Sequence, residues 1–132
     1  MFKTRRKLLS QNFLWNRELV SKLIRGSSIS ENDHVLEIGP GQGIITEQLV
    51  GICKKLTAVE ADKALFDLLE QRFSGNPNMR LINEDFLKFA LPETDYKVFA
   101  NIPFAITGEV FKKLIFAETP PTDSYLVVQN EA

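Results

Sequence analysis

Apolar runs that alternate with amphipathic stretches predict an α/β fold, one parallel sheet with helices on both faces. Three observations carry this. Val35 to Ile38 is a short apolar run, the pattern of a buried parallel strand. Gly39, Gly41 and Gly43 follow it directly, and Ile44 to Val50 then has the pattern of a short helix. Beyond these, apolar runs and helical stretches keep alternating to the end of the chain, as right-handed crossovers between parallel strands require.

The elements follow in order. Asn16 is placed to cap a helix over Arg17 to Arg25, with Leu19, Val20, Leu23 and Ile24 on one face and Gly26 at its end. Leu56 to Glu60 is the second strand. Asp62 caps the next helix, whose stripe is Leu65, Phe66, Leu68, Leu69 and Phe73. Ser74 to Pro77 is a turn, and Met79 to Phe86 a third strand that ends in acids. Tyr96 to Ala100 is strand four and delivers Asn101-Ile102-Pro103-Phe104 to the same sheet edge as the glycines. Thr107 is placed to cap a helix that carries Val110, Phe111, Leu114, Ile115 and Phe116 inward and Lys112 and Lys113 outward. Ser124 to Gln129 is strand five, exposed at one edge of a Rossmann-like sheet of order 3-2-1-4-5.

Composition sets limits. With 132 residues the chain makes one domain with a core. At 44% apolar, 25% charged and net charge −1, it is ordinary for a soluble protein, and it holds no run long enough for a membrane helix. A lone cysteine, Cys53, excludes an internal disulfide and a cysteine metal cluster, and a reducing, cytoplasmic setting is expected. His34, beside the first strand, is expected to be a loop residue rather than a ligand. Lys3, Arg5, Arg6 and Lys7 form a basic arm within residues 1–9, which either contacts nucleic-acid phosphate or is a solvated terminus.

Strand, glycine turn and helix together are the layout that holds a nucleotide-like cofactor at the carboxyl end of a sheet; the alternative is a plain tight turn. Glu60 stands about 20 residues beyond Gly39, where an acid can accept from both ribose hydroxyls; the alternative is a strand-end charge facing water. Asp85 can accept from the amino group of the cofactor's adenine or cap the turn after it. At Asn101 to Phe104, the Asn101 amide oxygen and the Ile102 carbonyl could accept the two hydrogens of an adenine N6. Such acceptors let a delocalised nitrogen become pyramidal as it attacks. Pro103 would fix the turn and Phe104 would stack on the base; the alternative is a polar strand end, a proline turn and a core phenylalanine.

Ser10-Gln11-Asn12-Phe13-Leu14, Val35 to Gly43, Glu60, Asp85 and Asn101 to Phe104 together resemble the rRNA adenine N6-dimethyltransferases. That family includes the erythromycin-resistance (Erm) enzymes, small-subunit rRNA dimethyladenosine transferases, and mitochondrial transcription factors descended from them. The resemblance implies a class I methyltransferase fold and S-adenosyl-L-methionine as cofactor, with no metal. Asn12, Leu14, Gly39, Gly41, Glu60, Asp85 and Asn101 would hold the cofactor. Asn101, Ile102, Pro103 and Phe104 would carry catalysis, and Phe13 and the basic arm would join Phe104 in contacting RNA. The enzyme would flip its target adenine from the RNA, as a monomer in the cytoplasm.

Ser10 and the Asn-Ile-Pro-Phe segment lean towards the Erm branch, whose action on 23S rRNA gives antibiotic resistance; the alternative is 16S rRNA. Phe104 stands where the family most often has Tyr, which keeps the stack and loses the hydroxyl. The family also has further strands and a helical C-terminal domain, so the resemblance implies that residues 1–132 are the catalytic-domain part of a longer protein. Two other classes compete. A nicotinamide-dependent oxidoreductase would want Gly-x-Gly-x-x-Gly, but position 44 is Ile, and it leaves Asn101 to Phe104 without a role. A non-catalytic nucleic-acid-binding relative would retain the fold without turnover.

Overall fold

The computed structural model describes residues 16–129. Five strands, β1 (His34–Ile38), β2 (Lys55–Glu60), β3 (Met79–Asn83), β4 (Lys97–Pro103) and β5 (Asp123–Gln129), form one parallel sheet in the expected order β3-β2-β1-β4-β5. Side chains alternate between its faces because a strand repeats every two residues. Val35, Leu56 and Phe99 therefore enter one core with Val20, Ile24, Ile45 and Leu49. Leu36, Val59, Val98 and Ile102 enter the other with Phe86, Val110 and Leu114.

Among the described residues four helices cover the sheet: α1 (Arg17–Arg25), α2 (Ile44–Leu49), α3 (Lys63–Phe73) and α4 (Thr107–Ile115). Local capping chemistry sets two of the starts. Asn16 Oδ1 accepts from Leu19 N–H at 3.1 Å, and Asp62 Oδ1 from Leu65 N–H at 3.0 Å. Both caps stand where the sequence places them.

Other expectations need correction. His34 is the first residue of β1, with Nε2 2.9 Å from Thr57 Oγ1, rather than a loop residue. β3 stops at Asn83, because Asn83 Nδ2 turns back to the Glu60 and Ala61 carbonyls at 2.9 and 3.1 Å. A 3-10 turn, Phe86–Lys88, follows, capped by Asp85 Oδ1 on Leu87 N–H. β4 runs past Ala100 to Pro103 because β5 lies alongside, pairing Asn101 with Val127 and Ile102 with Val128. Thr107 does not cap α4: it is the first helical residue, and its Oγ1 donates to Pro103 O at 3.1 Å.

The helix faces also differ. α1 buries Val20 and Ile24, one turn apart, while Leu19 and Leu23 lie rotated towards solvent. On α3, Leu69 and Phe73 are buried and Leu68 is 63% exposed. α4 buries Val110 and Leu114, but Phe111 and Ile115 are about half exposed and Phe116 is 82% exposed. Lys112 points out as expected; Lys113 turns in, and its Nζ donates to the carbonyls of Phe86 and Phe89.

These faces carry unequal energy. Leu56→Ala, which opens a cavity in the sheet core, is expected to cost about 2–5 kcal/mol. Leu68→Ala is expected to stay within about 0.5 kcal/mol. Urea unfolding followed by far-UV circular dichroism checks both, and equal losses would contradict this assignment of faces.

Candidate cofactor and target-base site

The site is built on the turn after β1. Gly39, Gly41 and Gly43 all have positive φ, at 68°, 57° and 85°, which side chains rarely adopt. Each glycine meets a different neighbour. Gly39 N–H donates to Val59 O at 3.1 Å, and a Cβ on Gly39 would stand 2.9 Å from the backbone oxygen of Asn101. The glycine turn and the tip of β4 are thus in contact. Gly41 N–H donates to Glu60 Oε1 at 3.0 Å. A Cβ on Gly43 would meet Leu69, Arg72 and Phe73 of α3 at 3.0 to 3.1 Å, so the third glycine lets α3 pack closely. Arg72 also donates through Nη1 to Gln42 O at 2.9 Å and pairs with Glu47.

Glu60, at the end of β2, is 7% exposed and bridges two loops. Its Oε1 takes the Gly41 amide and its Oε2 the Asp62 amide, each at 3.0 Å. Asp85 stands two residues past β3, and among the described residues only its Oδ1 is engaged, by Leu87 N–H. Asn101 is half-buried at the tip of β4. The Ile102 side chain is buried, so only its backbone can reach a ligand. Pro103 leads into the 3-10 turn Phe104–Ile106, and Phe104 is 68% exposed.

Gly39, Gly41, Glu60, Asp85 and Asn101 to Phe104 accordingly share the carboxyl edge of β3, β2, β1 and β4. The strand order reverses between β1 and β4, the place where open α/β sheets bind ligands. Lys3, Arg5, Arg6, Lys7, Asn12, Phe13 and Leu14 lie outside the described residues. Among the described residues no helix is long and apolar enough to cross a membrane, and no cluster of three or more His, Cys, Asp or Glu could hold a metal ion. Cys53 is buried, which pushes its thiol up to about 11 and leaves it a poor nucleophile.

Sequence reasoning missed Glu37. It lies fully buried in β1 beneath the turn, where its Oε1 accepts from Thr46 Oγ1 of α2 at 2.7 Å. Burial pushes its carboxyl up to about 8, and the nearby Glu60 adds to the rise. The signal was available: a carboxylate inside an apolar strand, directly before the glycines.

The sign of the pH effect follows. A carboxyl that holds its proton more tightly when folded contributes stability that is full below the ordinary value of 4.5 and is lost as pH rises towards about 8. The slope is about 1.4 kcal/mol per pH unit at most. Glu37→Gln keeps an acceptor for Thr46 and removes the titration. Between pH 5 and 8.5 the parent is expected to lose at least about 2 kcal/mol more stability than Glu37→Gln in urea unfolding. Parallel pH profiles would refute the neutral carboxyl. Comparing the two proteins removes the opposite contribution of His34, whose burial lowers its pKa.

Comparison with known proteins gives this geometry a family. A family model described as ribosomal RNA adenine dimethylase matches residues 1–132. Ribosomal RNA small subunit methyltransferase A of Fusobacterium nucleatum is 42% identical over 130 residues, covering 96% of this chain and 49% of its own length. An rRNA adenine N-6-methyltransferase of Lysinibacillus sphaericus is 36% identical over 121 residues, covering 91% of this chain and 49% of its own length. Among solved structures, the 23S rRNA methyltransferase ErmE superposes with a TM-score of 0.77 at 30% identity, over 85% of this chain and 46% of that one. A dimethyladenosine transferase from Plasmodium falciparum gives 0.75 at 29%, over 84% and 41%. The chain spans about half the length of the curated relatives it matches. With the sheet order and both motifs in place, the chain belongs to the ribosomal RNA adenine dimethylase family.

Proposed function

We propose that this chain binds S-adenosyl-L-methionine and carries the catalytic groups for N6-methylation of an adenine in ribosomal RNA. The observation behind this reading is the contact between the Gly39 turn and the Asn101 backbone, with Glu60 alongside. The donor set fits the cofactor. Each carboxylate oxygen has two lone pairs, so Glu60 keeps acceptor capacity for the ribose hydroxyls while holding the Gly41 and Asp62 amides. Among the described residues the space above Gly41 is open, since the nearest atom to a Cβ there, its chain neighbours aside, would be Gly39 O at 4.0 Å. Asp85 keeps one oxygen for the cofactor's adenine amino group, and Asn12 and Leu14 complete the set from the N-terminal segment.

When bound, S-adenosyl-L-methionine supplies an electrophilic methyl group on a sulfonium centre. Asn101 and the Ile102 carbonyl accept the two N6 hydrogens of the target adenine and steer its lone pair. Pro103, with φ fixed by its ring at −61°, sets the direction of the turn. Phe104 stacks on the flipped purine with its exposed face, and Phe13 helps to hold that base. Lys3, Arg5, Arg6 and Lys7 take the RNA phosphates. Positioning of the two reactants supplies most of the rate.

Large-subunit rRNA is the substrate favoured by Ser10 and by the Asn-Ile-Pro-Phe segment. The likeness to the Fusobacterium relative, named for the small subunit, favours 16S rRNA as the second reading.

Titration calorimetry tests the cofactor site. Glu60→Ala is expected to weaken S-adenosyl-L-methionine binding by roughly 10- to 100-fold, the effect of one charge-assisted hydrogen bond or more. Unchanged affinity in a folded variant would remove Glu60 from the site. Transfer of a radiolabelled methyl group by the full-length protein tests the reaction. Label is expected in 23S rRNA, at least 100-fold reduced in Asn101→Ala, about 2.7 kcal/mol of transition-state stabilisation. Label only in small-subunit rRNA would select the second reading. No label in any rRNA or pre-ribosomal particle would leave a binding module.

A further inference from the structure

Lys113 lies in the last turn of α4, and its ammonium is drawn inward onto a different element. Its Nζ donates to Phe86 O at 2.6 Å and to Phe89 O at 2.5 Å, two carbonyls of the turn that Asp85 opens. The same Nζ stands 4.9 Å from the centre of the Phe86 ring, within range of a cation–π attraction. Burial lowers the lysine's pKa, while Asp85 and Glu84 act electrostatically in the opposite sense. This one side chain therefore ties α4 to the segment between β3 and β4.

That segment aims Asp85. Because Asp85 Oδ1 accepts from Leu87 N–H, the direction of its second oxygen is set by the backbone of the turn. Phe86 O also accepts from Phe89 N–H at 3.1 Å, so without the ammonium it is the Phe89 carbonyl that would lose its donor among the described residues, and that end of the turn would relax towards water. We propose that Lys113 is a positioning residue for the cofactor's adenine: it clamps the turn that aims Asp85 at the adenine amino group. This rests on the assignment of Asp85 given above.

The plain alternative is that Lys113 only fastens α4 to the domain, in which case its loss would weaken every ligand equally. Adenine preference separates the two. Calorimetry with S-adenosylhomocysteine and S-inosylhomocysteine, which carries an oxo group in place of the amino group, is run on the parent, Lys113→Met and Lys113→Arg. The parent is expected to prefer the adenine form by about tenfold or more, the effect of one charged hydrogen bond. Lys113→Met is expected to reduce that preference to less than about threefold, chiefly by weakening the adenine form. Lys113→Arg keeps a cation able to reach both carbonyls and is expected to keep the preference. Should Lys113→Met fail to fold, Lys113→Leu, which likewise has no donor, is measured in its place with the same expectation. A full preference in the neutral variant overturns the positioning role while leaving Asp85 in place. No preference in the parent overturns the Asp85 assignment, and this proposal with it.

Discussion

The close approach of Gly39 to Asn101 is the constraint on which the site depends. β1 and β4 are paired neighbours up to Ile38 and Ala100, and there the two chains part. β4 continues along β5 while β1 turns over into α2, so the first residue of the turn comes down against the Asn101 carbonyl. A Cβ at 2.9 Å would push these apart, and φ at +68° excludes most side chains independently. The other two glycines follow from this start. Once the chain has turned at Gly39, Gly41 N–H meets Glu60 and Gly43 meets the flank of α3. One backbone contact thus fixes the relation of β1, β2, β4 and α3 at the sheet edge.

Two carboxyl groups flank that turn in different environments. Glu60 lies at the strand end and takes two backbone amides, the arrangement that suits a charged acceptor. Glu37 lies one strand over, buried among apolar side chains with the Thr46 hydroxyl as its partner, and keeps its proton into the neutral range. Burial therefore spares the glycine turn a second negative charge beneath it. The Thr46 contact also joins β1 to the helix after the turn, so both ends of the glycine segment are held.

Much of this was legible in the sequence because its causes are local. Asn16 and Asp62 cap the helices that follow them because a cap needs only its own next three residues. The apolar runs of β1, β2 and β4 required burial on both faces, and with the alternating helices they pointed to one parallel sheet. What was not legible depends on tertiary neighbours. α4 carries two apolar stripes, Val110 with Leu114 and Phe111 with Ile115, and periodicity alone does not choose which one meets the sheet. A half-buried Lys113 reads as a solvated one until the Phe86 and Phe89 carbonyls are seen beside it. Glu37 was hidden for the opposite reason, since the apolar run around it drew attention to the strand. Spacing singles out the glycines, Glu60 and the Asn101 segment as candidates, whereas the contact between Gly39 and Asn101 needed the strand order.

The placement of α4 links the two turns proposed to take the target base and the cofactor's adenine. Its first residue, Thr107, is tied to Pro103, beside Phe104 and the turn proposed to take the target base. Six residues on, Lys113 is tied to the turn that follows Asp85, proposed to take the cofactor's adenine. Six residues of helix span roughly 9 Å, and a hydrogen-bonded helix of that length is stiff. Val110 and Leu114, packed in the core between and beside these ties, prevent the helix from rolling. The Pro103 turn and the Phe86 turn, far apart in sequence and each short, are therefore held in register by an element that belongs to neither. Phe86 and Ile102 enter the same core as Val110 and Leu114, so both turns are referred to one packed interior.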